Sequence, residues 1–331
     1  MSFSIQETHS TAFLPFPGTR DFLLSEMKER FSIDTSAFVS HGELLFFEGL
    51  DTGVKNYDYK KGDSRLPYFA SAVLFNVKKI TFDSISDAAS ALRSLARSWS
   101  GCGTEFFRRS TLIQEKLPYV NLKPKSFPPK FPSSVTGIYL LIDEHTMLAS
   151  ENTTCVFPLG QLVFEEDHEN PPSRAYLKIQ EALTYAKLFF DAELPSENSF
   201  CFEAGACPGG WTWVLASLGS RVLAVDRSEL APSLMKNPLI QFKAHDAFTI
   251  PCEEIGNCDW VLSDVICYPE RLLEWIQKWL SSGLVKNMIC TIKMQGKIDW
   301  PLVAQFAAIP DSRVIHLNYN KHELTFIHCE K

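Results

Sequence analysis

No stretch of this chain holds the roughly 20 consecutive apolar residues that a helix needs to span a bilayer. The opening MSFSIQETHSTAFLPF also lacks the basic and apolar regions of a secretory signal, so a cytoplasmic address is expected. The nine cysteines follow no regular spacing, which suits reduced thiols better than a disulfide framework. Cys252/Cys258 and His322/His328 do not have the spacing of zinc ligands, and no metal is expected. Positive charge is short as well: 32 Lys+Arg against 39 Asp+Glu give a net −7, which argues against a general nucleic-acid coat protein. An RNA-modifying protein of this balance needs only a local basic path. Residues 1–150 carry 17 Lys+Arg against 16 Asp+Glu, while residues 151–331 carry 15 against 23. Phe106–Lys130 concentrates Arg108, Arg109, Lys116, Lys123, Lys125 and Lys130 against a single acid, Glu115.

What is present is a glycine-rich turn between a strand and a helix. In FEAGACPGGWTW (Phe202–Trp213) an apolar strand, Ser199–Ala204, runs into Gly205, Cys207, Pro208, Gly209 and Gly210, and a helix restarts at Trp211. Glycine lets backbone approach a ligand closely, and a helix N-terminus offers unpaired N–H groups. RVLAVD then ends at Asp226, about where a doubly wound fold grips ribose hydroxyls. IQFKAHDAF ends near Asp246, and CDWVLSDV at Asp264. The turn residues through Trp211, with Asp226, Asp246 and Asp264, form the candidate nucleoside site. The turn is PGGW rather than a phosphate-cradling GxGxxG, which points to S-adenosylmethionine, whose anionic part is one small carboxylate.

The rest of the chain reads as two regions. EEDHENPP (Glu165–Pro172) has no apolar periodicity, and Pro-Pro blocks helix, so a boundary is expected there, with regions at 1–165 and 173–331. In the first region GELLFFEGL and FASAVLFNVKKITF read as strands, Ser84–Trp99 as an amphipathic helix and GIYLLIDEHTMLAS as a hairpin, which predicts a smaller α+β region. The second alternates strand and helix from Ser173 to a closing antiparallel pair. That predicts an α/β, mostly parallel sheet with an antiparallel edge hairpin and ligands at the strand C-ends.

The segments SRAYLKIQEA, FEAGACPGGWTWVL, VLAVD, SDVICYPERLLEWIQKWL, TIKM and KHELTF resemble, in order and spacing, the FtsJ-type RNA 2′-O-methyltransferases. The resemblance is greatest to the branch that acts on large-subunit ribosomal RNA. It implies a Rossmann-like methyltransferase domain over 173–331 and an N-terminal THUMP-like RNA-binding region. It also implies a catalytic set of Lys178, Asp264, Lys293 and Glu323, with Lys293 as proton acceptor and Lys178 as the neighbour that lowers its pKa. The substrate implied is ribosomal RNA or its assembly intermediate, with cytidine as target. The same chemistry on tRNA or an mRNA cap, or a non-catalytic RNA-binding protein of this fold, are the alternatives. One position departs from the family: Ala175 stands where a Ser or Thr often contacts the cofactor carboxylate. Amino-directed enzymes place [DNS]PP[YFW] at the fourth strand end, where this chain has SDVI.

Overall fold

The computed structural model describes residues 2–52, 54, 57–62, 65–132 and 134–330. The chain divides into two compact units. The first comprises residues up to Lys125 and Lys130–Val163; the second comprises Ser126–Pro129 and the chain from Phe164 onward. Among the described residues no helix is long and apolar enough to cross a membrane.

The first unit runs β1 (Phe3–Pro15), α1 (Arg20–Phe31), β2 (Val39–His41), β3 (Leu44–Phe47), β4 (Ala70–Phe82), α2 (Ile85–Leu95), β5 (Trp99–Gly101), α3 (Phe107–Gln114), β6 (Gly137–Leu141), β7 (Thr146–Ser150) and β8 (Asn152–Thr153). Its sheet has the order β2-β3-β1-β4-β7-β6-β5, with β8 on β4, and β5–β6 is its parallel pair among the described residues. The expected strands, the amphipathic helix and the hairpin are all present, so the region is α+β. The helix stops short of its expected end. The Trp99 side chain folds back, and its indole N–H donates to the carbonyls of Leu92 and Ala96 at 3.0 and 2.9 Å, closing the last turn of α2. At the other end Ser84 caps α2 by accepting the Asp87 N–H. Ala88, Ala89 and Leu92 of α2 then pack with Ile80, Trp99, Ile113 and Tyr139.

The second unit runs α4 (Tyr176–Phe190), β9 (Phe200–Ala204), α5 (Gly210–Ser217), β10 (Arg221–Asp226), α6 (Pro232–Met235), β11 (Ile240–Ala244), α7 (Cys252–Ile255), β12 (Cys258–Ser263), α8 (Pro269–Ser282), β13 (Val285–Ile292), α9 (Trp300–Ala307), β14 (Ser312–Ile315) and β15 (Leu324–Cys329). The sheet order is β11-β10-β9-β12-β13-β15-β14. The pairs from β11 to β13 are parallel, while β15 runs antiparallel to both β13 and β14. This is a Rossmann-like α/β fold, with the expected antiparallel edge. Strand order reverses between β9 and β12, and a crevice opens at the C-ends of strands at such a switch point.

Glu165–Pro172, read in the sequence as a linker, belongs to this second unit. Phe164 is buried and stacks on Tyr319, whose hydroxyl accepts the Phe164 N–H at 2.8 Å. The Asp167 N–H donates to Tyr176 Oη at 2.6 Å, and the Asp167 carboxylate accepts the N–H groups of Glu169 and Asn170. The polar composition of the segment serves a local turn instead of a solvated tether.

Candidate active site

The site is built where β9, β10, β12 and β13 end. β9 ends at Ala204, and the chain turns through Gly205 and Gly209, both at positive φ (77° and 110°), before α5 starts at Gly210. Gly209 is required twice over: its φ is one that L side chains rarely adopt, and a Cβ there would lie 2.2 Å from Leu234 Cδ1. At Gly210 a Cβ would lie 2.5 Å from Ser173 Oγ. These glycines therefore close the turn onto its own protein neighbours. Cys207 and Pro208 are exposed on its outer side. Trp211 points the other way. It is buried, and its indole N–H donates to the Ala175 carbonyl at 3.1 Å, tying α5 to the start of α4. Its place is in the support of the turn.

Asp226, the last residue of β10, accepts the Cys207 N–H at 3.0 Å and the Ser228 N–H at 2.9 Å, one on each carboxylate oxygen. It thus lies against the turn, as the spacing of RVLAVD led one to expect. Asp246, just past β11, is engaged by Arg227 at 2.8 Å and Arg271 at 3.3 Å, and accepts the Phe248 N–H. Partial burial raises its pKa, but these hydrogen bonds and charges outweigh it and hold the carboxyl below its ordinary range. The two arginines were not legible in the sequence, because one follows β10 and the other lies in the first turn of α8.

The four residues singled out by the resemblance meet in space. Asp264 is the first residue beyond β12 and Lys293 the first beyond β13, and these strands are parallel neighbours. Lys293 Nζ lies 2.5 Å from Asp264 Oδ1. Lys178, on the first turn of α4, places its Nζ 2.6 Å from Glu323 Oε1 and 3.7 Å from the same Asp264 oxygen. Glu323, just before β15, also accepts the N–H groups of Lys321 and His322. Burial favours the protonated form of Glu323, yet the charge and hydrogen bond of Lys178, with Lys293 behind it, push its pKa down to about 2. The two lysines and two carboxyl groups thus form one continuous, partly buried chain of contacts.

The sequence reading passed over three residues that the structure puts behind this chain. Glu181 is fully buried on α4 and accepts the N–H groups of Asn318 and Tyr319 at 2.9 and 3.1 Å, fixing the loop that carries Glu323. Glu203, on β9 beneath the turn, is buried against the Thr212 hydroxyl at 2.5 Å. Burial raises both carboxyls to about 8, against the hydrogen bonds they accept. Asn320 donates to the Glu323 carbonyl and to Thr325 Oγ1, both at 3.1 Å. An acid inside an apolar strand (FEAG) and one inside an apolar helix (KIQEA) were the signals available for the two glutamates.

The donor set fits a nucleoside that carries a carboxylate. The Asp226 oxygens keep lone pairs, the first N–H groups of α5 face the turn, and Ser173 Oγ is buried beside Gly210 without a hydrogen-bond partner. No group of three or more His, Cys, Asp or Glu among the described residues is placed to hold a metal ion. Cys267 is buried, with burial raising its thiol pKa.

The family described as FtsJ-like methyltransferase matches residues 171–297. A protein named ribosomal RNA large subunit methyltransferase M from Aggregatibacter aphrophilus (strain NJ8700) is 36% identical over 135 residues, 40% of this chain and 37% of that protein. One of the same name from Xylella fastidiosa (strain M23) is 30% identical over 219 residues, 65% of this chain and 58% of that protein. The chain thus spans about two fifths to three fifths of the length of these relatives. Among solved structures, TrmN from Thermus thermophilus is 13% identical at a TM-score of 0.34, over 99% of this chain and 100% of that one.

Proposed function

We propose, from the FtsJ-like methyltransferase domain that residues 171–297 form, that this protein transfers a methyl group from S-adenosylmethionine to a ribose 2′-hydroxyl of large-subunit ribosomal RNA. The acceptor nucleotide, by the family resemblance, is a cytidine. The observation that carries this reading is the convergence of Lys178 and Lys293 on one oxygen of Asp264.

A ribose hydroxyl is a poor nucleophile and must lose its proton as it attacks. In this reading Lys293 takes that proton as a free amine, and Asp264 aims it at the hydroxyl. Glu323 holds Lys178, which brings a second amine to within 3.7 Å of the same Asp264 oxygen. The turn Gly205–Gly210, the start of α5, Ser173 and Asp226 would hold the methyl donor, with Asp246 at the rim. When bound, S-adenosylmethionine supplies an activated methyl on a cationic sulfur.

The test is single-turnover transfer of labelled methyl to protein-free large-subunit ribosomal RNA. Lys293→Ala is expected to lower transfer about 10²–10⁴-fold, the usual range for losing a general base, while calorimetric affinity for S-adenosylmethionine stays put. Lys293→Arg fails as well, since a guanidinium does not give up its proton. Undiminished transfer by Lys293→Ala would reject the mechanism.

A further inference from the structure

Asp264 opens a short segment without regular structure that ends at Pro269, the first residue of α8. Side chains alternate along it. Ile266 is 83% exposed, Cys267 is 8% exposed, and Tyr268 is 66% exposed. Tyr268 has extended backbone (φ −66°, ψ 140°) and caps a helix whose first residue is proline, so its backbone is held at a helix start. The buried Cys267 anchors the segment between them. The result is a fixed rim bearing two large apolar side chains in solvent.

Single exposed apolar residues are ordinary on protein surfaces. This pair is set apart by its place, two and four residues beyond the carboxylate that touches Lys293. Four residues span at most roughly 14 Å of chain, so the rim lies within about that distance of Asp264. A ribose whose 2′-oxygen sits at Asp264 and Lys293 can therefore bring its own base, or the adjacent one, to this rim. An exposed aromatic beside an apolar side chain gives a base face a surface to stack on, and stacking of this kind tolerates every base. Bases in a paired helix are not free to do so, which selects an unpaired segment.

We infer that Tyr268, with Ile266 beside it, is the stacking platform for a nucleobase of the single-stranded RNA segment that carries the acceptor ribose. This rests on the RNA reading of the site. Tyr268 is a substrate-binding residue here, and it leaves the methyl donor untouched.

Two measurements on the full chain separate this inference from the reading beneath it. The first is fluorescence of a single-stranded ribo-oligonucleotide containing 2-aminopurine, which stacking on an aromatic quenches. Wild type is expected to quench it, Tyr268→Ala to bind it about 10-fold more weakly or worse with the quenching lost, and Tyr268→Phe to recover most of the loss. Ile266→Ala weakens binding by a smaller factor. The second is labelled methyl transfer to protein-free large-subunit ribosomal RNA, where Tyr268→Ala is expected to raise KM for RNA with S-adenosylmethionine affinity unchanged. If wild type stacks the probe but transfers no methyl, the methyltransferase reading fails and the platform stands. If Tyr268→Ala binds and quenches like wild type, the platform is overturned and the pair belongs to a protein-facing surface.

Discussion

Three glutamates in the second unit show how burial and partners compete at a single residue. Glu323 has Lys178 at 2.6 Å, and the partner wins, taking its pKa to about 2. Its contribution to stability is therefore intact at neutral pH and is lost only as pH falls from about 4.5 toward about 2. Glu203 has a hydroxyl for a partner and Glu181 two backbone N–H groups, and in both cases burial wins, with pKa values of about 8. A folded pKa raised above the unfolded one has the opposite consequence. The stability of such a group is full below about 4.5 and is lost as pH rises to about 8. Between pH 6 and pH 8 one such group accounts for about 2 kcal/mol. Glu203→Gln keeps an acceptor for Thr212 and cannot ionise. Its unfolding free energy, measured by urea titration, should therefore fall about 2 kcal/mol less than that of wild type over this pH interval. Parallel pH curves for the two proteins would show that Glu203 does not titrate there.

At the scale of elements, α4 does more than supply Lys178. Lys178 and Glu181 are three residues apart and share a helix face. One grips Glu323 and the other grips the backbone at Asn318 and Tyr319, so a single helix holds both ends of the loop before β15. Glu181→Ala leaves two buried N–H groups without acceptors, a loss of roughly 2–4 kcal/mol of stability. Its more telling effect is kinetic. Methyl transfer should slow through kcat, because Glu323 loses its position, while KM for S-adenosylmethionine holds. Glu181→Gln, which keeps an acceptor oxygen, should recover part of kcat. A loss of stability with kcat untouched would assign Glu181 to packing alone.

For the whole molecule the proposed function raises the question of how a chain of net charge −7 would capture RNA. The basic segment of the first unit exposes Arg108, Lys123 and Lys130, together with Phe107 and Tyr119, which are 70% and 82% exposed. Lys125 is committed otherwise: its ammonium donates to the carbonyls of Asn121 and Lys123 at 2.7 and 2.6 Å, within its own loop. The combined variant Arg108→Glu, Lys123→Glu and Lys130→Glu should weaken RNA binding. It should also flatten the slope of log affinity against log salt by about 2 to 3, with S-adenosylmethionine binding unchanged. Equal affinities across a salt series would place the RNA path elsewhere on the protein.

Much of the second unit could be read from local rules. Apolar runs bounded by Gly and Asp marked β9, β10 and β12, and strand ends in a parallel sheet fall on one edge whatever the details of packing. Those rules place Asp226 and Asp264 at the C-terminal edge of the sheet. Lys178 and Glu323 were different. They lie 145 residues apart, one at a helix start and one just before β15, and nothing in either local sequence relates them; the family resemblance named them, and packing of α4 beside β15 brings them to 2.6 Å. Other features exist only in three dimensions. Trp211 looks like a site residue in PGGW but is turned into the core by its bond to Ala175. Glu165–Pro172 reads as a tether but is held by Tyr176 and its own Asp turn. Sequence pattern locates an element and its type, because these depend mostly on neighbours along the chain. Which way a side chain faces, and which distant charge it meets, depends on close packing between elements, and only the folded chain decides that.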